Sequence, residues 1–410
     1  MKTNRNAHQE TRIGMPTTNA EKDSWTGILE SPPGAEVSID GERYLYFAGT
    51  AYLALQGHPE VIEAGCEGLR RYGVHTATAR GGYGTSPPLL QVEHLASQYF
   101  GSEAAFYYVS GYWGNQLVLG ALKPHFDSIF FDEQSHSSIL DAIQISGKPS
   151  FSFPHRSVRG LGDALLRHLS SGERPLVISD GVFASSGRIA PIDEYRKVIR
   201  DLPGAILVVD DAHSVGVLGD GLGTFAHFGI SFRHINQDPG QPLLGSGPRL
   251  YSSGTLSKAI GGSGGIIAGS RDWISRVRSS SACSNAASSP GAPVAMGTAA
   301  GLRLVMIDTQ IRQRMVDNTR MLRRGFRQLG FSVEETPVPF FSIEIGNREY
   351  MQWIQGMLRG RGIIIAYAQR YSGVGPEGNL RIAVSAAHTD TMIQQLVWEF
   401  GSLLQERPLT

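Results

Sequence analysis

Ala205-Ile206-Leu207-Val208-Val209-Asp210-Asp211-Ala212-His213 is an apolar run of strand length that stops abruptly at two carboxylates and an imidazole. A strand covered on both faces reads as continuous apolar sequence instead of an alternation, so this run predicts a central strand of a parallel sheet. In open α/β sheets ligands bind beyond the carboxyl ends of such strands, which puts Asp210 at a site. A carboxylate at a buried strand end needs a cationic partner, and a protonated pyridine nitrogen is one. Asp211 reads as well as a helix cap, and His213 taken alone reads as a satisfied structural histidine.

The surroundings repeat the pattern. Ser128-Ile129-Phe130-Phe131-Asp132 and Leu176-Val177-Ile178-Ser179-Asp180 read as buried strands, while Val61, Ile62, Gly65, Cys66, Leu69 and Tyr72 keep helical spacing. Alternation of this kind argues for a parallel sheet wrapped by helices. Asp40-Gly41, between Val37-Ser38-Ile39 and Glu42-Arg43-Tyr44, suits the tight turn of a hairpin. Residues 231–249, rich in Pro, Gly, Gln and Asn, read as an exposed insertion. A long helical region from about Pro293 to Leu329 precedes two further strand patterns, Phe340-Phe341-Ser342-Ile343 and Gly362-Ile363-Ile364-Ile365. The division expected is an arm and hairpin over 1–58, a large domain over 59–292 and a small domain over 293–410.

Downstream of the central strand, Tyr251-Ser252-Ser253-Gly254-Thr255-Leu256-Ser257-Lys258 runs into Ala-Ile-Gly-Gly-Ser-Gly-Gly. A lysine among small residues, with a hydroxyl three positions earlier and a glycine run after it, can present its amine to a carbonyl compound and form a Schiff base. The plain alternative is a solvated lysine in a Gly/Ser loop.

The strings DDAHSVGVLGDGLG and SSGTLSKAIGGSGG resemble the α-oxoamine synthases, a family of enzymes dependent on pyridoxal 5′-phosphate (PLP), and the similarity runs from about Tyr44 to about Leu396. The resemblance implies an α/β protein of PLP fold-type I, like aspartate aminotransferase, with a large, mostly parallel-sheet domain and a smaller C-terminal α+β domain. It implies that Lys258 carries the internal aldimine, that Asp210 pairs with the pyridinium nitrogen, and that His213 meets the phenolic oxygen. Thr255 would bind phosphate, with the strand-to-helix turn at Ser110, Gly111 and Tyr112, since helix starts suit anions. Asp132-Glu133-Gln134-Ser135-His136-Ser137-Ser138-Ile139-Leu140-Asp141 resembles the family's DxxxHxSxxD segment, whose histidine stacks on the pyridine ring. Read alone, His136 is a helix-start residue beside the capping serines Ser135 and Ser137. Arg381, in a stretch similar to the family's LRxxxxAxH, would hold the amino-acid carboxylate through a bidentate fork; alone it reads as a surface cation on an edge strand. Ser284 and Asn285 fall where the family's loop meets the phosphate of a neighbouring subunit, which implies a homodimer with shared sites.

Three departures qualify the likeness. Thr50 stands where the family has an asparagine amide reaching the substrate region. Arg80 aligns with the arginine of the family's GSRxxxG, yet Leu89 replaces the histidine that follows it. In Gly181-Val182-Phe183-Ala184-Ser185 the family's serine falls on Ala184, with Ser185 beside it as the neighbouring hydroxyl toward the cofactor. The implied reaction is decarboxylative condensation of an amino acid with an acyl-thioester, with Lys258 as general base, His136 restricting the ring face and His213 polarising the thioester carbonyl. The departures keep open another PLP-dependent carbon–carbon bond reaction. A catalytically dead partner of an active homologue is disfavoured by retention of Lys258, Asp210, His213 and Arg381. A plain nucleotide-binding protein is disfavoured because no phosphate loop follows an early strand.

Composition agrees with a large enzyme. The 410 residues are 41% apolar and include 50 glycines, enough for one large core and a smaller one. Balanced charge, 37 basic against 37 acidic residues, gives no reason to expect nucleic acid or an anionic membrane as partner. Two cysteines, Cys66 and Cys283, suggest neither a disulfide framework nor a zinc site. No apolar span is long enough for a membrane helix and residues 1–24 are too polar for a signal peptide, so a cytoplasmic protein is expected.

Overall fold

The computed structural model describes residues 27–243, 246–281, 286–369 and 371–409. Its strands are β1 (Glu36–Ile39), β2 (Glu42–Phe47), β3 (Ala104–Tyr108), β4 (Ser128–Asp132), β5 (Ser150–Phe153), β6 (Pro175–Asp180), β7 (Ile206–Asp210), β8 (Arg249–Thr255), β9 (Gly265–Gly269), β10 (Phe340–Ile343), β11 (Ile363–Ala368) and β12 (Asn379–Ala383). They form two sheets, ordered β3-β9-β8-β7-β6-β4-β5 and β1-β2-β11-β12-β10.

In the larger sheet β8, β7, β6, β4 and β5 are parallel, and β9 lies antiparallel between β3 and β8. Within β7, Leu207 and Val209 enter one apolar cluster while Ile206 and Val208 enter another. Side chains that alternate across a strand thus supply two cores at once, which is why the run is apolar without a break. Each such buried side chain stabilises the fold by about 1.5–3 kcal/mol relative to an exposed one. Helices Gly114–Leu122, Ser137–Ser146 and Arg271–Ser280 cover one face; Pro87–Phe100, Val158–His168 and Ala292–Ile307 cover the other.

The expected hairpin forms, with Asp40 and Gly41 at positive φ in its turn, but it does not stand apart. Its second strand pairs in parallel with β11, so the hairpin is built into the C-terminal sheet. The long helical region is two helices, Ala292–Ile307 and Thr309–Gln328, parted at Asp308, whose carboxylate accepts from Gln310 N (2.9 Å) and Ile311 N (3.1 Å) and caps the second. The first helix packs on the large domain; Leu322 and Phe326 of the second join the small-domain core with Ile382 and Phe400. Among the described residues no helix is long and apolar enough to cross a membrane.

The stretch expected as an exposed insertion is partly an internal strut, because Phe232, Ile235, Asn236 and Asp238 are buried. Strands β8 and β9 pair only at Gly254–Ile266 and Thr255–Gly265 and then diverge. The Asn236 amide fills the gap, donating to Ser252 O (3.0 Å) and Ala268 O (2.7 Å) and accepting from Ser252 N (2.9 Å). Asn236 sits at φ 55°, a conformation asparagine tolerates better than most residues. Asn236→Ala leaves three buried backbone groups without partners, at about 1–3 kcal/mol each. Its urea unfolding midpoint should fall clearly below that of the parent; an unchanged midpoint would show that the strut is dispensable.

Candidate active site

Three neighbouring strand ends build the site. Register pairs Asp180 of β6 with Asp210 of β7, and Asp210 with Ser253 of β8, so the two carboxylates emerge side by side at the carboxyl edge of the sheet. Asp210 accepts from the Asn115 amide (2.6 Å) and from Ala212 N (2.9 Å), with the Ser138 hydroxyl at 3.5 Å. Asn115 is wholly buried in the first turn of Gly114–Leu122, and its amide also donates to Ser138 Oγ (3.1 Å). Asp180 accepts from His136 N (2.9 Å); burial, reinforced by the charge of Asp210, raises its pKa well above the carboxylate range and favours the neutral acid.

Both aspartates line a cavity of about 290 Å³, and Lys258 lines it too. Burial pushes the Lys258 amine down from 10.5 to about 8; the positive charge of Arg381 acts the same way, against the pull of Asp210 and Asp180. More of it is free base at neutral pH than of an ordinary lysine.

A further stretch of the wall is Ser110, Gly111 and Tyr112 with Thr255 and Ser257. The turn opens the helical segment that continues into Gly114–Leu122, and Ser110 Oγ accepts from Tyr112 N (3.3 Å). A Cβ at Gly111 would stand 2.7 Å from Thr255 Cβ, so only glycine lets this backbone come so close to the threonine. Thr255 Oγ1 is fixed by Gly264 O (2.8 Å) and the Ser257 hydroxyl (2.7 Å). Orphan N–H groups at a helix start and clustered hydroxyls suit an anion. Hydroxyls and backbone N–H groups for a phosphate, a carboxylate for a ring nitrogen and a weakly basic amine for an aldehyde share one cavity, and this donor set fits PLP.

Two histidines line the same cavity, and burial lowers the pKa of both, so each is neutral at neutral pH. His136 lines the cavity and is itself the N-cap of Ser137–Ser146, accepting from Ser138 N (3.2 Å), where the sequence pointed to the flanking Ser135 and Ser137 as caps. The His136 ring has Tyr112 at 6.0 Å and Tyr371 at 5.8 Å between centroids. His213 Nδ1 is 2.7 Å from the Tyr52 hydroxyl. Arg381 of β12 donates through Nε to Ala184 O (3.1 Å), through one terminal nitrogen to Gly49 O (2.9 Å) and through the other to Tyr52 Oη (3.2 Å). Among the described residues, one N–H on each terminal nitrogen has no partner.

Thr50 lies on the cavity wall, as do Lys258, Asp210, His213, His136, Thr255, Gly111 and Tyr112. Arg80 does not: its guanidinium is committed to Glu93 (2.6 and 3.1 Å) and to Tyr107 O (3.3 Å), in an ion pair that Arg278 shares. Ser185 is buried but off this wall, and Ala184 contributes its carbonyl to Arg381. Leu89 is fully buried in Pro87–Phe100 as core. Asp211 is a latch, accepting from Thr224 N (3.0 Å) and Oγ1 (2.5 Å). Ser284 and Asn285 lie outside the described residues. Asp180, Asn115 and Tyr371 had no role in the sequence reading. Asp180 ends an apolar strand as Asp210 does and was legible by the same sign; Tyr371, on the β11–β12 loop, had none.

The sequence pattern of the family described as Aminotransferase class I and II matches residues 44–400. The chain is 34% identical over 376 residues to the 8-amino-7-oxononanoate synthase of Methylococcus capsulatus, covering 91% of this chain and 92% of that one. Against the 8-amino-7-oxononanoate synthase of Pseudomonas putida (strain GB-1) it is 32% identical, covering 90% of each. Against the serine palmitoyltransferase of Sphingobacterium spiritivorum it is 30% identical, covering 90% of this chain and 88% of that one. Among solved structures, that of SPT with its PLP internal aldimine superposes with a TM-score of 0.83 at 24% identity over 94% of both chains, and the Sphingomonas wittichii serine palmitoyltransferase with 0.81 at 24% identity over 92% and 91%. The chain therefore has the PLP fold-type I architecture and belongs to the aminotransferase class I and II family, in its α-oxoamine synthase branch of PLP-dependent acyltransferases.

Proposed function

We propose that the protein condenses an α-amino acid with an acyl-thioester, releasing CO2 and free thiol and leaving an α-amino ketone. The observation that carries this reading is the convergence of Lys258, Asp210 and the Gly111–Thr255 approach on one cavity; Arg381 is off its wall and reaches it through Tyr52, which it shares with the wall residue His213. When bound, PLP supplies an electron sink for the charge left on the amino acid's α-carbon.

The chain's own residues do the rest. The Gly111 N–H would hold the phosphate, joined by the Tyr112 N–H and the Thr255 hydroxyl if they turn to it from Ser110 Oγ and Gly264 O; Asp210, steadied by Asn115, would keep a proton on the ring nitrogen. Lys258 would anchor the cofactor, and its weakly basic amine would take the α-proton on Nζ. Arg381 receives the amino-acid carboxylate on its unused N–H groups, a geometry lysine cannot copy. His136 would cover one ring face, and His213 would meet the phenolic oxygen and polarise the thioester carbonyl. Thr50 offers a hydroxyl where an amide offers more donors and acceptors, which narrows how the reacting carbonyl is held.

A homodimer with shared sites belongs to the same proposal, with Ser284 and Asn285 reaching the neighbouring phosphate. Ile62, Val74, Tyr83, Leu90, Val109 and Trp113 are exposed large side chains from the stretch that leads into and forms the Gly111 turn, and a second copy covering them accounts for that exposure. We place the enzyme's work in the cytoplasm.

Incubation with a panel of amino acids and acyl-thioesters should release thiol only when both are present, with the product mass of an amino ketone. Amino acid that exchanges its α-proton or splits at Cα–Cβ without consuming thioester would replace this reading with another PLP-dependent carbon–carbon reaction. Arg381→Ala should keep PLP while weakening amino-acid binding by about 1.5–3 kcal/mol, the range for hydrogen bonds to charged groups; equal loss of both would mean a structural role only. Because the neutral amine is the form that captures PLP, the rate of loading into cofactor-free protein should rise through a pKa of about 8. A rate flat from pH 6.5 to 9.5 would contradict the lowered amine.

A further inference from the structure

The phenol of Tyr52 is fully buried, and burial holds it above its ordinary pKa, so it is a neutral O–H with one proton to place. Arg381 Nη2 can only donate, so at 3.2 Å the phenol oxygen accepts from it. Among the described residues the other hydrogen-bond partner of Tyr52 Oη is His213 Nδ1 at 2.7 Å. A buried hydroxyl proton that finds no acceptor is costly, and donation to Nδ1 is the arrangement that satisfies it. His213 then has Nδ1 as acceptor and its single proton on Nε2, the ring nitrogen left for the cavity.

The packing holds this chain of donors in place. The Tyr52 ring stacks on Phe340 at 5.6 Å and 8°, the Arg381 guanidinium carbon lies 4.0 Å over the same ring, and the His213 ring is 5.4 Å from it. All three groups therefore rest on one side chain of β10.

We infer that Tyr52 is a positioning residue that fixes which nitrogen of His213 carries the proton, so that Arg381, acting through the phenol, keeps His213 as an Nε2–H donor facing the substrate. This rests on the reading of the cavity as a PLP site, and it extends that reading by giving the neutral His213 a defined polarity. An imidazole held this way donates a hydrogen bond to an oxygen and cannot accept a proton on Nε2. A loose ring would present either tautomer. Packing alone would explain a tyrosine on Phe340, but not a hydroxyl set between a fixed cation and one imidazole nitrogen.

The test uses PLP-loaded protein labelled with ¹⁵N-histidine and no substrate, with the His213 signals assigned by their loss in His213→Asn. In the unaltered protein Nδ1 should resonate as an unprotonated, hydrogen-bonded nitrogen and Nε2 should carry the proton. Tyr52→Phe keeps the stack on Phe340 and removes the hydroxyl. Its Nδ1 signal should move away from the hydrogen-bonded position, and the Nε2 proton should exchange with water about tenfold faster, as expected for loss of one buried hydrogen bond. A proton on Nδ1 in the unaltered protein, or an Nδ1 signal unmoved in Tyr52→Phe, overturns the inference. If that variant does not fold, the first measurement still decides. Because no turnover is read, a failed condensation assay leaves this result standing, and the reverse is also true.

Discussion

A carboxylate at the end of a strand buried on both faces is the constraint from which the site follows. Asp210 cannot be solvated as a surface aspartate is, and on the protein side the Asn115 amide, the Ala212 N–H and the Ser138 hydroxyl surround it. Its remaining side faces the cavity, where a cation completes the pairing. The same low-dielectric surroundings favour neutral forms nearby: Asp180 is raised, and Lys258, His136 and His213 are lowered, in each case chiefly by burial. The cavity is thus lined with groups poised to move or share protons instead of charges locked in salt bridges.

The second constraint is the junction of the two sheets. Arg381 comes from β12 in the small sheet, yet its partners are Ala184, just past β6 of the large sheet, and Gly49 and Tyr52, just past β2. Phe340 of β10 carries the rings of Tyr52 and His213 and the guanidinium together. The N-terminal hairpin is consequently a part of the site's frame, since β2 must pair with β11 for residues 49–52 to arrive beside Arg381. A shift of the small sheet would change how Arg381 and His213 are presented at the same time.

Much of this was legible in the sequence because it rests on local patterns. The unbroken apolar run 205–209 marks a two-faced strand, and the residues just after it are at the edge of the sheet by geometry. Lys258, Thr255 and Gly111 followed from small-residue turns and from the family resemblance, and the cavity includes all three. What was not legible depends on distant contacts. Arg80 fits a motif, but its partner Glu93 lies on a helix whose packing no spacing reveals. The polar stretch 231–249 looked like loop, yet Asn236 is internal because β8 and β9 diverge beside it. Tyr52 could be seen, but its bond to His213 joins residues 161 positions apart.

The central claim is that the amine of Lys258, at the carboxyl edge of the larger sheet, is the group that holds the cofactor. Borohydride reduction of the PLP-loaded protein, followed by digestion and mass spectrometry, tests it most directly. The account predicts a pyridoxyl mass on the peptide containing Lys258, absent in Lys258→Ala. A label on any other lysine, or undiminished labelling of Lys258→Ala, would contradict it.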